Sequence, residues 1–158
     1  MDGDEQDKTM SKVTLIKRTE SAKRFEIPAT AREGDAGYDL KCTVNAGELT
    51  IDPGMALDIP TGVFIKLPPD IWAMIMPRSS VFTKKRGLLI HPGIIDCGYT
   101  GELKVLAINN SDVPIKIEDG ERICQLILFN LVHTKFVEVI ELPQTDRGVN
   151  GFGSTGKK

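Results

Sequence analysis

The segment GVFIKLP, residues 62–68, shows the pattern from which the fold can be predicted. Val63, Ile65 and Leu67 would lie on one face of an extended chain, and Lys66 would lie on the other. An apolar face that recurs at every second residue is typical of a β-strand that covers a hydrophobic core. The segment therefore predicts a half-buried strand.

Segments of the same kind recur along the chain, rich in β-branched residues and separated by Gly, Pro, Asn and Asp. In chain order they are VTLIKR, GYDLKCTV, GELTI, GVFIKLP, IWAMIMP, GLLIHPGIID, GELKVLAI, VPIKI, RICQLILFNLV and, at residues 135–142, KFVEVIEL. Many short strands at this spacing predict an all-β sandwich or barrel.

Two local signals add detail to the all-β prediction. Asp119 and Gly120, within IEDGER, predict a tight hairpin turn because glycine tolerates a positive φ. The segment SSVFTKKRG, residues 79–87, is the single predicted helix, opened by a serine N-cap and ended by Gly87. The sequence has no internal repeat, and its 158 residues predict one domain.

Composition argues against several classes of function. The chain is 41% hydrophobic, which is enough for a core, and its net charge of −2 argues against a nucleic-acid partner. The three cysteines are widely spaced and predict no disulfide framework and no zinc pair. No apolar run reaches membrane-spanning length, and the polar N-terminus does not resemble a signal peptide. We therefore expect an intracellular protein of the cytoplasm or nucleus, not secreted and with no membrane partner, whose residues 1–11 form a disordered lead-in.

The C-terminal segment DRGVNGFGSTGKK, residues 146–158, contains two apparent phosphate-binding patterns. Gly151, Gly153 and Gly156 spell G-x-G-x-x-G, and Lys157 completes most of a P-loop. Both patterns act at a strand–loop–helix junction, which an all-β chain does not provide here. A P-loop also needs Ser or Thr after its lysine, and a second lysine follows instead. Both matches are rejected, which leaves a disordered end or a different kind of site.

Four further stretches place polar residues where they could bind a ligand. AGYDL puts Asp39 after a flexible glycine, and PRSS puts Arg78 beside two hydroxyls at the start of the predicted helix. GIIDCGYTGEL puts Asp96 and Tyr99 in a glycine-bounded hairpin, and RICQLI puts Gln125 in an apolar strand. Taken singly, each has an ordinary structural explanation, such as a turn acid or a surface ion pair.

Taken together with the C-terminal segment, and in this order, the four stretches resemble the five ordered motifs of the trimeric dUTPases. The resemblance runs from about Lys12 to the C-terminus, and GIIDCGYTGEL and RGVNGFGSTG are its most specific parts. It implies a distorted β jelly roll of the β-clip type with one short helix, formed by residues 12–142. It also implies a homotrimer with shared sites, and a mobile lid at residues 143–158 that crosses to a neighbouring subunit.

The resemblance further implies that the protein hydrolyses dUTP to dUMP and pyrophosphate, which keeps uracil out of DNA and supplies dUMP for dTMP synthesis. Asp96 would activate the water that attacks the α-phosphorus in line. This chemistry needs an oriented water and cations that absorb charge. Asp39 would be associated with Mg²⁺ through water. Mg²⁺ suits a single carboxylate because it keeps several waters and binds chiefly through substrate phosphates.

The substrate-binding residues follow from the same resemblance. Tyr99 would pack on the deoxyribose and exclude a 2′-hydroxyl, and Phe152 would stack on the uracil when the lid closes. Residues with side-chain or backbone donors would hold the phosphates: Arg78, Ser79, Ser80, Lys104, Gln125, Arg147, Gly153, Ser154 and Thr155. Backbone groups of Gly93, Ile94 and Ile95 would read the uracil.

Three alternatives stay open from the sequence. A dCTP deaminase or a bifunctional deaminase–dUTPase can share the fold, although the complete third and fifth motifs favour a dUTPase. A regulatory binding protein that has kept the fold is the second alternative, and a structural trimer without chemistry is the third. One departure from the family pattern bears on activity, because Ser80 stands where a glycine is usual and adds a side chain near the phosphates.

Overall fold

The computed structural model describes residues 14–45 and 47–149. Within these ranges the chain forms ten β-strands, a short α-helix and one turn of 3-10 helix. The strands are β1 (Leu15–Arg18), β2 (Gly37–Leu40), β3 (Glu48–Ile51), β4 (Ala56–Lys66), β5 (Ile71–Pro77), β6 (Leu88–Ile90), β7 (Gly93–Ile95), β8 (Glu102–Asn109), β9 (Ile115–Glu118) and β10 (Cys124–Asn130). The all-β prediction is confirmed.

The strands form two four-stranded sheets and one two-stranded sheet, and every pairing is antiparallel. The first sheet has the order β1-β4-β8-β6, and the second has the order β2-β10-β5-β7. The pair β3-β9 forms the third sheet. Neighbours in a sheet are mostly distant in the sequence, so residues from separate motifs are brought side by side across strands.

The hydrophobic core is built from alternate residues of the strands, as the strand pattern predicts. Val63, Ile65 and Leu67 are all buried and Lys66 is exposed, which confirms the predicted faces of that segment. Cys42 and Cys124 also lie in the core as free thiols. Burial raises the pKa of the Cys42 thiol to about 12, so this thiol stays protonated at neutral pH.

Two predicted hairpins are wrong, although their turns are present. Gly120 has a φ of 77°, and the Glu121 N–H donates to the Glu118 carbonyl at 3.1 Å. However, β9 pairs with β3, whereas β10 pairs with β2 and β5. The segment GIIDCGYTGEL is likewise a connection between sheets, because β7 pairs with β5 and β8 pairs with β4 and β6. A turn signal specifies local φ and leaves the strand partner undetermined.

The predicted strand at residues 135–142 is also wrong for the isolated chain. The segment has no strand structure, and Phe136 and Ile140 are fully exposed. A strand needs a partner for its backbone N–H and C=O groups, and no other strand in the described part of the chain pairs with this segment. The segment therefore has the apolar alternation of a strand but no strand in the described part of the chain to pair with.

The predicted helix forms, with different ends. Helix α1 spans Ser79–Lys84, its N-cap is Arg78, and no side chain caps it. The predicted serine N-cap is thus wrong, and the helix stops three residues before Gly87, which adopts a φ of 87°. The 3-10 turn at Ser21–Arg24 was not predicted. None of the helical segments within the described ranges is long and apolar enough to cross a membrane.

Asn109 is a fully buried polar residue at the end of β8 whose hydrogen bonds join three segments. Its Nδ2 donates to the carbonyl oxygens of Ile51 and Val113, each at 2.8 Å. Its Oδ1 accepts from the backbone N–H of Ser111 at 2.9 Å and from the Ser111 hydroxyl at 2.7 Å. Both N–H donors and both acceptor positions of the Asn109 side-chain amide are therefore used.

Replacing Asn109 by Leu keeps the number and branching of side-chain heavy atoms and removes these bonds. The Ile51 carbonyl and the Ser111 N–H lose the Asn109 amide as partner, whereas the Val113 carbonyl keeps its bond from the Ser111 hydroxyl. We expect N109L to lower the free energy of unfolding by about 2–4 kcal/mol. Urea unfolding at fixed protein concentration measures the effect, with the exposed neighbour variant N110A as the control. Equal unfolding midpoints for N109L and N110A would contradict this account of the β8 terminus.

Candidate functional site

Strand register gathers three of the predicted site residues at one end of the second sheet. Gln125 on β10 pairs with Asp39 on β2 and, on its other side, with Met76 on β5. Strand β5 ends at Pro77, and Arg78 follows at the start of α1. Side chains paired directly across antiparallel strands point to the same face. Asp39, Arg78 and Gln125 therefore meet although the sequence separates them widely.

The Asp39 carboxylate lies between two guanidinium groups. Its Oδ1 is 2.6 Å from Nε of Arg78, and its Oδ2 accepts a hydrogen bond from Nη1 of Arg122 at 2.9 Å. The Asp39 side chain is only 12% exposed, so this pairing takes place in a partly dehydrated setting. Each oxygen has one cationic partner, and the carboxylate holds both arginines in place.

Arg122 is a functional candidate that the sequence reasoning missed. It opens the segment RICQLI, in which only Gln125 was predicted to bind a ligand, and its pairing with Asp39 spans 83 residues of sequence. The available signal was its position three residues before Gln125, just ahead of the strand. Nothing in the local sequence identified Asp39 as its partner.

Gln125 is held in a defined orientation. Its Nε2 donates to the Pro77 carbonyl at 3.0 Å, which ties β10 to the residue before Arg78. On its other side the amide rests over Gly37, where an added Cβ would lie 1.9 Å from Oε1. Gly37 therefore leaves the space that the glutamine side chain occupies.

The third predicted motif lies on and after β7, at the edge of the second sheet. Strand β7 pairs only with β5 in this sheet. Some of its backbone N–H and C=O groups therefore point away from β5 and are not used in the sheet. Ile95 is buried, whereas Ile94 is exposed. The carboxylate of Asp96 is exposed and has no ion-pair partner within the described ranges.

Two hydrogen bonds hold Tyr99 in the turn that follows Asp96. Its hydroxyl donates to the Glu102 carbonyl at 2.9 Å, and its N–H donates to the Asp96 carbonyl at 3.0 Å. A Cβ at Gly101 would come within 2.4 Å of the Tyr99 hydroxyl oxygen, so the glycine leaves room for the phenol. The ring is nearly half exposed and offers an apolar surface beside Asp96.

Within one chain, the residues around Arg78 lie far from the residues around Asp96. Ile95 pairs with Ala73, so the next residue, Asp96, lies beside the start of β5, whereas Arg78 follows its end. An extended strand rises about 3.3 Å per residue, which puts about 20 Å between Asp96 and Arg78. The first group contains Asp39, Arg78, Ser79, Ser80 and Gln125, and the second contains Gly93, Ile94, Ile95, Asp96 and Tyr99.

The remaining predicted residues belong to neither group. Lys104 is exposed on β8, opposite Pro60 in the first sheet. Arg147 is exposed in a turn in which the Gly148 N–H donates to the Thr145 carbonyl at 3.0 Å. Four predicted residues lie outside the described ranges: Phe152, Gly153, Ser154 and Thr155.

The contact between Gly37 and Gln125 makes a testable prediction. G37A should displace the glutamine amide from the Pro77 carbonyl and destabilise the fold by about 1–3 kcal/mol through overpacking. The side-chain amide signals of Gln125 in a ¹⁵N–¹H spectrum report the displacement. The control is G98A, because a Cβ at Gly98 meets nothing within 4 Å. Unshifted Gln125 amide signals in G37A would contradict the proposed packing.

Comparison with known proteins identifies the family. The family model described as dUTPase matches residues 23–156. The deoxyuridine 5′-triphosphate nucleotidohydrolase of Caldanaerobacter subterraneus subsp. tengcongensis is 45% identical over 148 residues, covering 93% of this chain and 99% of that protein. The protein of the same name from Gloeobacter violaceus is 41% identical, covering 84% of this chain and 90% of that protein.

Solved structures extend the likeness to the fold. The structure of Staphylococcus bacteriophage 80alpha dUTPase with dUPNHPP has a TM-score of 0.80 and 27% sequence identity, covering 91% of this chain and 98% of that chain. The family match extends over most of the chain and spans the first four quoted stretches and the C-terminal segment as far as Gly156. The chain belongs to the dUTPase family.

Proposed function

We propose that this protein is a dUTP diphosphatase, a hydrolase that converts dUTP and water to dUMP and pyrophosphate. Family membership supports the reaction, and so do relatives named deoxyuridine 5′-triphosphate nucleotidohydrolase. The observation that carries the proposal is the end of the second sheet, where Asp39 orients Arg78 and Arg122 beside Gln125. Guanidinium groups held in this way match phosphate oxygens.

Asp96 would act as the general base that activates the attacking water. An exposed carboxylate can accept a hydrogen bond from water and take its proton as the water oxygen bonds to the α-phosphorus. The bond from the α-phosphorus to the bridging oxygen then breaks, and pyrophosphate leaves in line with the attack. Arg78, together with Ser79 and the N–H of Ser80, would hold the phosphate oxygens while charge moves toward the leaving group.

The residues present fit Mg²⁺ as the cofactor. No group of three or more His, Cys, Asp or Glu side chains that could hold a metal occurs in the described part of the chain. Asp39 offers one carboxylate, and its oxygens already accept from two arginines, which leaves lone pairs for water. This arrangement suits an ion bound mainly by substrate phosphates and reached by Asp39 through water. When bound, Mg²⁺ would neutralise phosphate charge.

Selectivity for deoxyuridine would come from the second group of residues. The ring of Tyr99 would pack against the deoxyribose and leave no space for a 2′-hydroxyl. The free backbone edge of β7, from Gly93 to Ile95, would hydrogen-bond the uracil. Phe152 and Arg147 would complete the site from the C-terminal segment, which would close as a lid.

A homotrimer would bring the two separated groups of site residues together, each from a different subunit. Asp96 must reach a water at the α-phosphate, and about 20 Å separates it from Arg78 of its own chain. A second copy can supply Asp96 to the phosphate group of the first. The outer face of the second sheet offers apolar contact area, where Trp72 and Phe129 stack with ring centroids 4.5 Å apart. The exposed apolar segment at residues 135–142 would find its strand partner on another copy.

Pyrophosphate release with Mg²⁺ from dUTP, UTP, dCTP and dTTP tests the proposed function. We expect rapid release from dUTP alone, and a loss of at least about 10²-fold in D96N because the positioned base is removed. The control is D112N, a change of the same charge at an exposed loop residue. A chain cut after Pro143 should also lose activity if the C-terminal segment is the lid.

The alternatives give different results in the same assay. Ammonia release from dCTP would indicate a deaminase. A folded chain that releases nothing from any of the nucleotides would contradict the proposed activity and favour a regulatory or structural role. Equal rates for D96N and D112N would contradict the role of Asp96 alone.

A further inference from the structure

The turn that begins at Asp96 connects two different sheets and has no helix or strand of its own. It runs from the end of β7, an edge strand of three residues, to the start of β8. Gly98 lies within the turn, and an added Cβ there would meet nothing within 4 Å. A glycine in open space leaves the backbone free to rotate. The position of the Asp96 carboxylate therefore depends on the contacts that neighbouring elements make with this turn.

Lys66, the last residue of β4, makes such a contact. Its Nζ donates a hydrogen bond to the carbonyl oxygen of Cys97 at 2.7 Å. Phe64 pairs with Glu102 at the start of β8, so the end of β4 runs alongside the stretch that leads into β8. A hydrogen bond from an ammonium group is charge-assisted and is stronger than one between neutral groups. Lys66 thus ties the residue directly after Asp96 to the first sheet.

The same strand also holds the other end of the turn. Gly62 lies where the register of β4 against β8 shifts, and it has a φ of 66°. Its backbone N–H donates to Oε1 of Glu102 at 2.8 Å. The carbonyl of Glu102 in turn accepts the hydrogen bond from the Tyr99 hydroxyl at 2.9 Å. Strand β4 therefore contacts both ends of the turn, and Lys66 makes the contact that is nearer to Asp96 in the sequence.

We propose that Lys66 is a positioning residue for dUTP hydrolysis, which holds the Asp96 turn in place through the Cys97 carbonyl. The proposal rests on the proposed function, because Lys66 has this task only if Asp96 activates the attacking water. A general base must lie within hydrogen-bond reach of that water, and a displacement of about 1 Å can lower a rate by about 10²-fold. Lys66 itself donates to a backbone carbonyl and takes no part in proton transfer.

Steady-state kinetics of dUTP hydrolysis by the full-length protein test the positioning role. We expect K66M to lower kcat about tenfold and to change KM less than about twofold, because a misplaced base weakens only the stabilisation of the transition state. K66R keeps a cationic donor on a long side chain and should restore most of the kcat. The matched control is K17M, which removes an exposed lysine of the same sheet whose Nζ lies 5.3 Å from the centroid of the Phe64 ring. K17M should keep the wild-type kcat.

The amide signal of Gly98 in a ¹⁵N–¹H spectrum tests the contact without turnover, because this N–H belongs to the same peptide unit as the Cys97 carbonyl. We expect the signal to shift in K66M and to stay in place in K17M. An unshifted Gly98 signal in K66M, a kcat for K66M equal to that of K17M, or no recovery of kcat in K66R would overturn the proposal. Failure of the proposed function shows separately, as absent dUTP hydrolysis by wild-type protein in which the Gly98 signal still depends on Lys66.

Discussion

The antiparallel register of β5 is the constraint on which the site depends. This strand pairs through seven residues with β10, from Ile71 to Pro77, and through three residues with β7. The first pairing places Gln125 next to the end of β5, and the second places Asp96 next to its start. A shift of one residue would turn every side chain of the moved strand to the opposite face. The buried residues on the core face oppose such a shift, so the packing of the core fixes the positions of the polar residues.

The ion pairs of Asp39 connect this framework to chemistry. A carboxylate that is 12% exposed loses much of its hydration, and the two guanidiniums and their hydrogen bonds compensate for that loss. The arginines are more exposed, at 26% and 48%, so solvent screens part of the attraction and their outer donors stay accessible. The same arrangement that holds three strands together therefore presents two cations to an incoming anion. Each guanidinium group thus pairs with Asp39 through some of its N–H donors and offers the others to the proposed ligand.

The sequence predicted the parts of the fold that depend on local pattern. The alternation around Val63 identified the buried face, and Gly120 identified a turn with positive φ, both of which are confirmed. The partners across the sheets could not be predicted, because they depend on distant register. This is why two turns were assigned to hairpins and why Arg122 was missed. The segment at residues 135–142 has a strand pattern but forms no strand, since no other strand in the described part of the chain pairs with it.

In the proposed homotrimer, Arg78 of one subunit and Asp96 of another form one site. Coexpression of D96N with R78Q tests this arrangement, since each variant alone lacks one of the two groups. If sites form between copies, random mixing restores about one quarter of them, because each needs Arg78 from one parent and Asp96 from the other. We predict about one quarter of wild-type dUTP hydrolysis per subunit in the mixture and almost none in either variant alone. Activity in the mixture no greater than that of the separate variants would show that each chain acts alone, which rules out sites shared between subunits.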